Sequence, residues 1–282
     1  MNTERKRFLP PLLRLLVYAA AGISIFIVLF ISSYIFIMGM PNLRPELFSI
    51  VYTSENASLL PALINTLIMA FLSLLLAVPL GVSAAIYLTE YSRSANIMVK
   101  AVRLAAETLA GIPSIIYGLF GMLFFVVYLR WGYSIMAGSF TMAIMILPII
   151  MRTAEEAIIS VPGTYREGSF SLGAGRLRTV TAVVLPSAVP GIFAGIILAS
   201  GRIFGETAAL VFTAGTVAGI PKSLFSSGRT LAVHMYSLSS EGFYIKQAYA
   251  SAVVLFVLAA LINAVSFFLM KKLSGNMGAG HG

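Results

Sequence analysis

Two charged residues interrupt an otherwise apolar run: Arg202 and Glu206, within Gly201-Arg-Ile-Phe-Gly-Glu-Thr-Ala-Ala209. A guanidinium presents a fork of donors that matches an oxyanion, and a carboxylate four residues on falls on the same helical face. Charge near the centre of a membrane helix costs about 2.5–3.5 kcal/mol on insertion scales, so such residues face a bundle interior or an aqueous path. Two readings fit this spacing: a permanent ion pair that serves folding, or a way station for an anion, with Glu206 orienting Arg202 or holding its place. Gly201 and Gly205 flank the charges with GxxxG spacing, as Gly191 and Gly195 do earlier, so a neighbouring helix is expected to approach closely there.

Other chemistries find no residues. The chain has no cysteine, and its ten acidic residues are all Glu, which removes thiolate sites and Asp-rich cation loops. His234 and His281 are the only histidines; they fall on opposite predicted sides of the membrane, cannot share a metal and read as surface groups. Glu155 and Glu156 read as a solvated helix face rather than a catalytic carboxylate pair. No nucleophile and base come together, so the chain is not expected to be an enzyme or to bind a metal or cofactor of its own. Nor does a basic stripe with interleaved aromatics suggest nucleic acid.

The elements that must hold these residues are membrane helices. Of 282 residues, 59% are hydrophobic and 10% charged, and a span needs roughly 20 apolar residues. Long uncharged runs predict six spans, at about 15–40, 59–89, 104–129, 134–151, 189–214 and 248–270, in a single all-α membrane domain over 1–282. The first run has a basic start but no small-residue cleavage site and is read as a retained anchor. A cytoplasmic N-terminus puts thirteen Lys/Arg on that side and five (Arg44, Arg130, Lys222, Arg229, Lys246) on the other, so both termini are expected in the cytoplasm.

Two loops are long. The external one, about 215–247, carries Lys222, Arg229, His234 and Glu241 and reads as a docking or gate element. The cytoplasmic one, about 152–186, predicts two short surface helices, one through Glu155 and Glu156 and one from about Thr164, divided by Pro162 and Gly163. Gly173 permits a sharp turn after them. Along the second helix Phe170 and Leu172 offer apolar anchors beside Arg166 and Glu167, a combination suited to a groove on a soluble partner. A loop that merely joins two spans is the plainer alternative.

Within that loop, Glu167-Gly168-Ser169, then Gly173, then Val183-Val184-Leu185-Pro186 resemble the EAA loop of ATP-binding-cassette importer permeases, with Gly and Ser where the pattern has two Ala. The resemblance implies docking on a cytoplasmic ATPase through Arg166, Glu167, Gly168, Ser169, Phe170, Leu172 and Gly173. It also implies the six-helix, type I permease class. The chain lacks a Walker A sequence: the nearest stretch, Gly215 to Ser223, has Ile220 and Pro221 before Lys222. ATP and magnesium are therefore expected on a separate ATPase dimer.

The stretch Ala110-Gly-Ile-Pro-Ser-Ile-Ile-Tyr-Gly-Leu-Phe-Gly121, with the RTAEEA and GETAAL runs, resembles phosphate importer permeases of the A type. That likeness implies a heterodimer with a C-type permease, an external phosphate-binding protein, and phosphate as cargo in the cytoplasmic (inner) membrane. Sulfate, molybdate or phosphonate would fit the same mechanism, and a self-sufficient secondary transporter would use the same charged pair without an ATPase. Gly111, Pro113 and Tyr117 fall in a helix that Pro113 must kink, for gating or for packing alone.

Overall fold

In the computed structural model, which describes residues 3–92 and 97–278, the described residues form helices and turns and no strand. Helix α1 (Thr3–Gly39) leads through two 3₁₀ turns to α2 (Leu60–Ile86), which ends in a π-helical turn, Tyr87–Tyr91. Next come α3 (Ile97–Ala110) and α4 (Ser114–Gly121), the latter extended by π-helical residues to Tyr128, and then α5 (Ile135–Ile159). Two short helices, α6 (Gly163–Ser171) and α7 (Arg176–Thr179), precede α8 (Leu185–Gly205). A four-residue turn α9 (Ala208–Val211), α10 (Leu231–Glu241) and α11 (Ile245–Gly278) complete the chain.

Among the described residues five stretches are long and apolar enough to cross a membrane, and α3 with α4 makes a sixth if that bent pair is one span. The expected third span, 104–129, is therefore not one helix: its halves meet at 103°. Pro113 has no N–H and disfavours helical geometry at Ile112, so it caps α4 instead of kinking a continuous helix. The fourth span does not stop at 151, because nothing between Met151 and Ile159 breaks a helix, and the residues expected as a separate helix through Glu155 are the end of α5. Glu155 is buried and ion-paired to Arg103 at 2.6 Å, not solvated; only Glu156 lies exposed, beside Arg152.

The fifth span begins earlier than 189: α7, a π-helical turn (Val180–Val184) and α8 run on as one apolar stretch, Arg176–Gly205. It also ends earlier, at Gly205.

Helices α2 and α5 run side by side in the same direction, Met69 near Gly138 and Gly81 against Ile150, with α8 as the third core element. Met142, Ile146, Ile150, Ala199 and Ile203 fill the space between them. Small residues set the approach: a Cβ on Gly191 would lie 2.6 Å from Ala157 Cβ, and one on Gly195 would meet Thr153. The second glycine pair behaves otherwise. Apart from the helix's own backbone, nothing among the described residues lies within 4 Å of a Cβ on Gly201 or Gly205, so the close neighbour expected there is not among them.

This contrast gives a stability test. Gly195→Val is expected to cost about 1–3 kcal/mol by overpacking, lowering the melting temperature. Gly201→Ala, in a helix interior with free space, is expected to stabilise by up to about 1 kcal/mol. Thermal unfolding of the purified chain in detergent reads both.

Candidate functional site

Arg202 lies in the last turn of α8, where the partial negative charge of the helix end favours a cation. It is half-buried, on a stripe with exposed Leu198, Gly201 and Gly205. These positions, at i, i+3, i+4 and i+7, are one face of α8 that this chain leaves uncovered. The expected helical pairing of Arg202 with Glu206 does not form, because the helix ends between them. Glu206 has extended backbone (φ −74°, ψ 127°), is buried, and its Oε1 accepts the Ala209 N–H at 3.0 Å. The two charges are thus held separately, and the guanidinium has no carboxylate partner among the described residues.

The α3–α4 bend lies beside this site. Tyr117 is buried, and its hydroxyl donates to the Leu109 carbonyl at 2.7 Å, tying α4 back to the end of α3. It packs in the same buried cluster as Ile203 and Phe204, the two residues after Arg202. On the same turn, a Cβ on Gly118 would lie 2.8 Å from Ala209 Cα, and one on Gly121 would strike Thr141 and Thr213. Gly118 thereby lets α4 lie against the turn that Glu206 caps. Gly111 is exposed at the bend and makes no comparable contact.

At the other end of α8, α6 matches the helix expected from Thr164, and Gly173 takes the left-handed conformation (φ +79°) that turns the chain into α7. Glu167, Gly168, Phe170 and Leu172 are exposed, Leu172 at 89%, and Tyr165 and Leu177 add to this apolar surface. Ser169 instead faces inward to a 2.9 Å hydrogen bond with Thr179.

Arg166 is turned away from the exposed face. Its Nε and Nη2 donate to Glu90 Oε1 at 3.0 and 2.7 Å, and Nη1 and Nη2 donate to the carbonyls of Val161 and Ile158. Arg176 lies 5.7 Å from the centre of the Tyr91 ring. The loop is therefore fastened to the end of α2, a link that sequence reading missed. Its signal was Glu90 itself, a lone carboxylate closing an apolar run.

At the opposite end, Lys222 and Glu241 are exposed as a docking loop would have them, but Arg229 and His234 are not. Both are buried, and His234 is not the surface group expected from sequence. Burial, and then the charge of Arg229, push the imidazole pKa down to about 3, so the ring is neutral.

Residues 77–278 match the family described as the binding-protein-dependent transport system inner membrane component. The chain is 36% identical over 240 residues to the probable ABC transporter permease protein YqgI of Bacillus subtilis, covering 79% of this chain and 80% of that one. It is 34% identical over 249 residues to the phosphate transport system permease protein PstA of Pasteurella multocida, covering 83% and 85%. Among solved structures, the bacterial alginate ABC transporter in complex with an alginate-bound periplasmic protein aligns with a TM-score of 0.65 at 17% identity, over 92% of this chain and 95% of that one. At that identity the likeness speaks for the fold alone. With spans suited to a bilayer, an exposed loop helix and a family match over most of its length, this chain belongs to the binding-protein-dependent inner-membrane permeases of ABC transporters.

Proposed function

We propose that this chain is the A-type permease subunit of an ATP-driven phosphate importer. The observation that carries the reading is Arg202: a fork-shaped cation on a bare stripe of α8, beside a span-breaking turn, with no carboxylate of its own. A stripe of two glycines and a leucine left open in one chain suits a path formed between two permeases, and a guanidinium there can donate two parallel bonds to a phosphate oxygen pair. Glu206 holds the adjacent turn rather than neutralising Arg202. The likeness to PstA of Pasteurella multocida supports phosphate as cargo and the A-type assignment.

In this reading the partner is a C-type permease. An external phosphate-binding protein delivers the anion, and an ATPase dimer with ATP and magnesium docks on α6 from the cytoplasm, where both termini lie. Glu167, Phe170 and Leu172 meet the ATPase, Gly168 keeps the contact close, and Gly173 shapes the turn. Arg166 transmits force to α2 through Glu90.

Cargo is tested by competition. Phosphate uptake by proteoliposomes holding the whole transporter is expected to resist a hundredfold excess of sulfate, molybdate or phosphonate; equal loss with any of these would reassign the cargo.

A further inference from the structure

Arg229 is the one arginine among the described residues that is fully buried, at 5% exposure. Its N–H donates to Val217 O, and its carbonyl accepts from Asn65 Nδ2, which fixes the backbone against the start of α2. This is the end of the bundle where α2 and α5 begin, opposite the α6 loop. The side chain's Nε and Nη2, which share one edge of the guanidinium fork, have no acceptor among the described residues.

Two other arginines show that same edge matched. Arg103 sets Nε and Nη2 on Glu155 Oε1 at 2.7 and 2.6 Å, and Arg166 sets them on Glu90 Oε1 at 3.0 and 2.7 Å. Arg229 has this donor geometry without the carboxylate.

Its surroundings are built to hold it in place. The Tyr52 ring lies under the guanidinium at 4.7 Å, and His234 meets the same ring edge-on at 6.2 Å. His234 is fully buried, with the Ala57 backbone as its hydrogen-bonding neighbour. An aromatic face offsets part of a cation's charge but accepts none of its N–H bonds, and donors buried unmatched are costly.

We propose that Arg229, with His234 and Tyr52, forms a second oxyanion-binding site at the end of the bundle opposite the coupling loop, separate from Arg202. The unmatched fork edge calls for a small anionic group, either a free tetrahedral oxyanion or a lipid phosphate. Two parallel N–H bonds from Arg229 would meet it, with the neutral imidazole and the Tyr52 ring as walls. Entry requires the 217–231 segment, held on α2 by Asn65 and Thr66, to part from that helix.

The test uses the assembled transporter in phosphocholine nanodiscs, carrying Arg202→Ala so that the result is independent of the transport path. Inorganic phosphate at 50 mM, against chloride of equal ionic strength, is expected to raise the melting temperature by about 5 °C. Arg229→Met removes an unmatched buried charge while keeping its bulk, so it is expected to fold at least as well without phosphate and to lose the shift. Arg229→Lys keeps the charge without the fork and is expected to lose more than half of it. A shift that appears only with phosphatidylglycerol, and disappears in Arg229→Met, assigns the site to lipid phosphate. No shift with either anion source, or one that persists in Arg229→Met, would overturn the proposal.

Discussion

Arg202→Ala is expected to lower ATP-dependent phosphate uptake by about 100- to 1,000-fold while the transporter still assembles. Hydrogen bonds to a charged group are worth about 1.5–3 kcal/mol each, and loss of a two-bond fork removes about 3–4 kcal/mol, with tenfold for every 1.4. The fold should barely register the change, since Arg202 is half-exposed and pairs with no carboxylate among the described residues. Arg202→Lys keeps a point charge but not the planar fork and should fall between the two. Size-exclusion profiles and initial uptake rates of the three proteins measure this. Uptake unchanged in the alanine variant, with assembly intact, would return Arg202 to a helix-end cation with no part in transport.

The second large effect concerns coupling. Glu90→Ala is expected to cut uptake by more than tenfold while ATP hydrolysis continues at a comparable rate. Arg166 and Glu90 retain only 21% and 10% side-chain exposure, so the pair is screened less than a surface pair, and removing one partner leaves the other unmatched. Arg166 would keep its bonds to Val161 and Ile158, so α6 should remain folded but no longer pull on α2. The charge exchange Glu90→Arg with Arg166→Glu is expected to restore part of the uptake. Parallel assays of uptake and phosphate release from ATP decide it. Equal loss of both activities would make Glu90 part of ATPase docking rather than the link behind it.

Much of this was legible from residue order. Long apolar runs located the helices, and the spacing from Glu167 through Gly173 to Leu185-Pro186 located the exposed loop helix and its left-handed turn. What the sequence hid was where helices stop. Leu59 to Thr89 reads as one span and is one, yet 104–129 contains Pro113, and backbone geometry there favoured a new helix start over a kink. The Arg202–Glu206 pair misled for the same reason: a spacing of four pairs side chains only while the helix continues, and it ends at Gly205.

Long-range partners were equally out of reach. Arg166 with Glu90, Arg103 with Glu155 and Arg229 over Tyr52 join residues 76, 52 and 177 positions apart, which no local periodicity reports.

The most direct measurement is initial-rate uptake of radiolabelled phosphate into proteoliposomes carrying this chain with its C-type partner, with the ATPase dimer present or left out. Binding protein is supplied outside and ATP inside. Uptake that requires both ATPase and ATP is the expected result. Uptake that persists without the ATPase would contradict it, making the chain a transporter that works unaided.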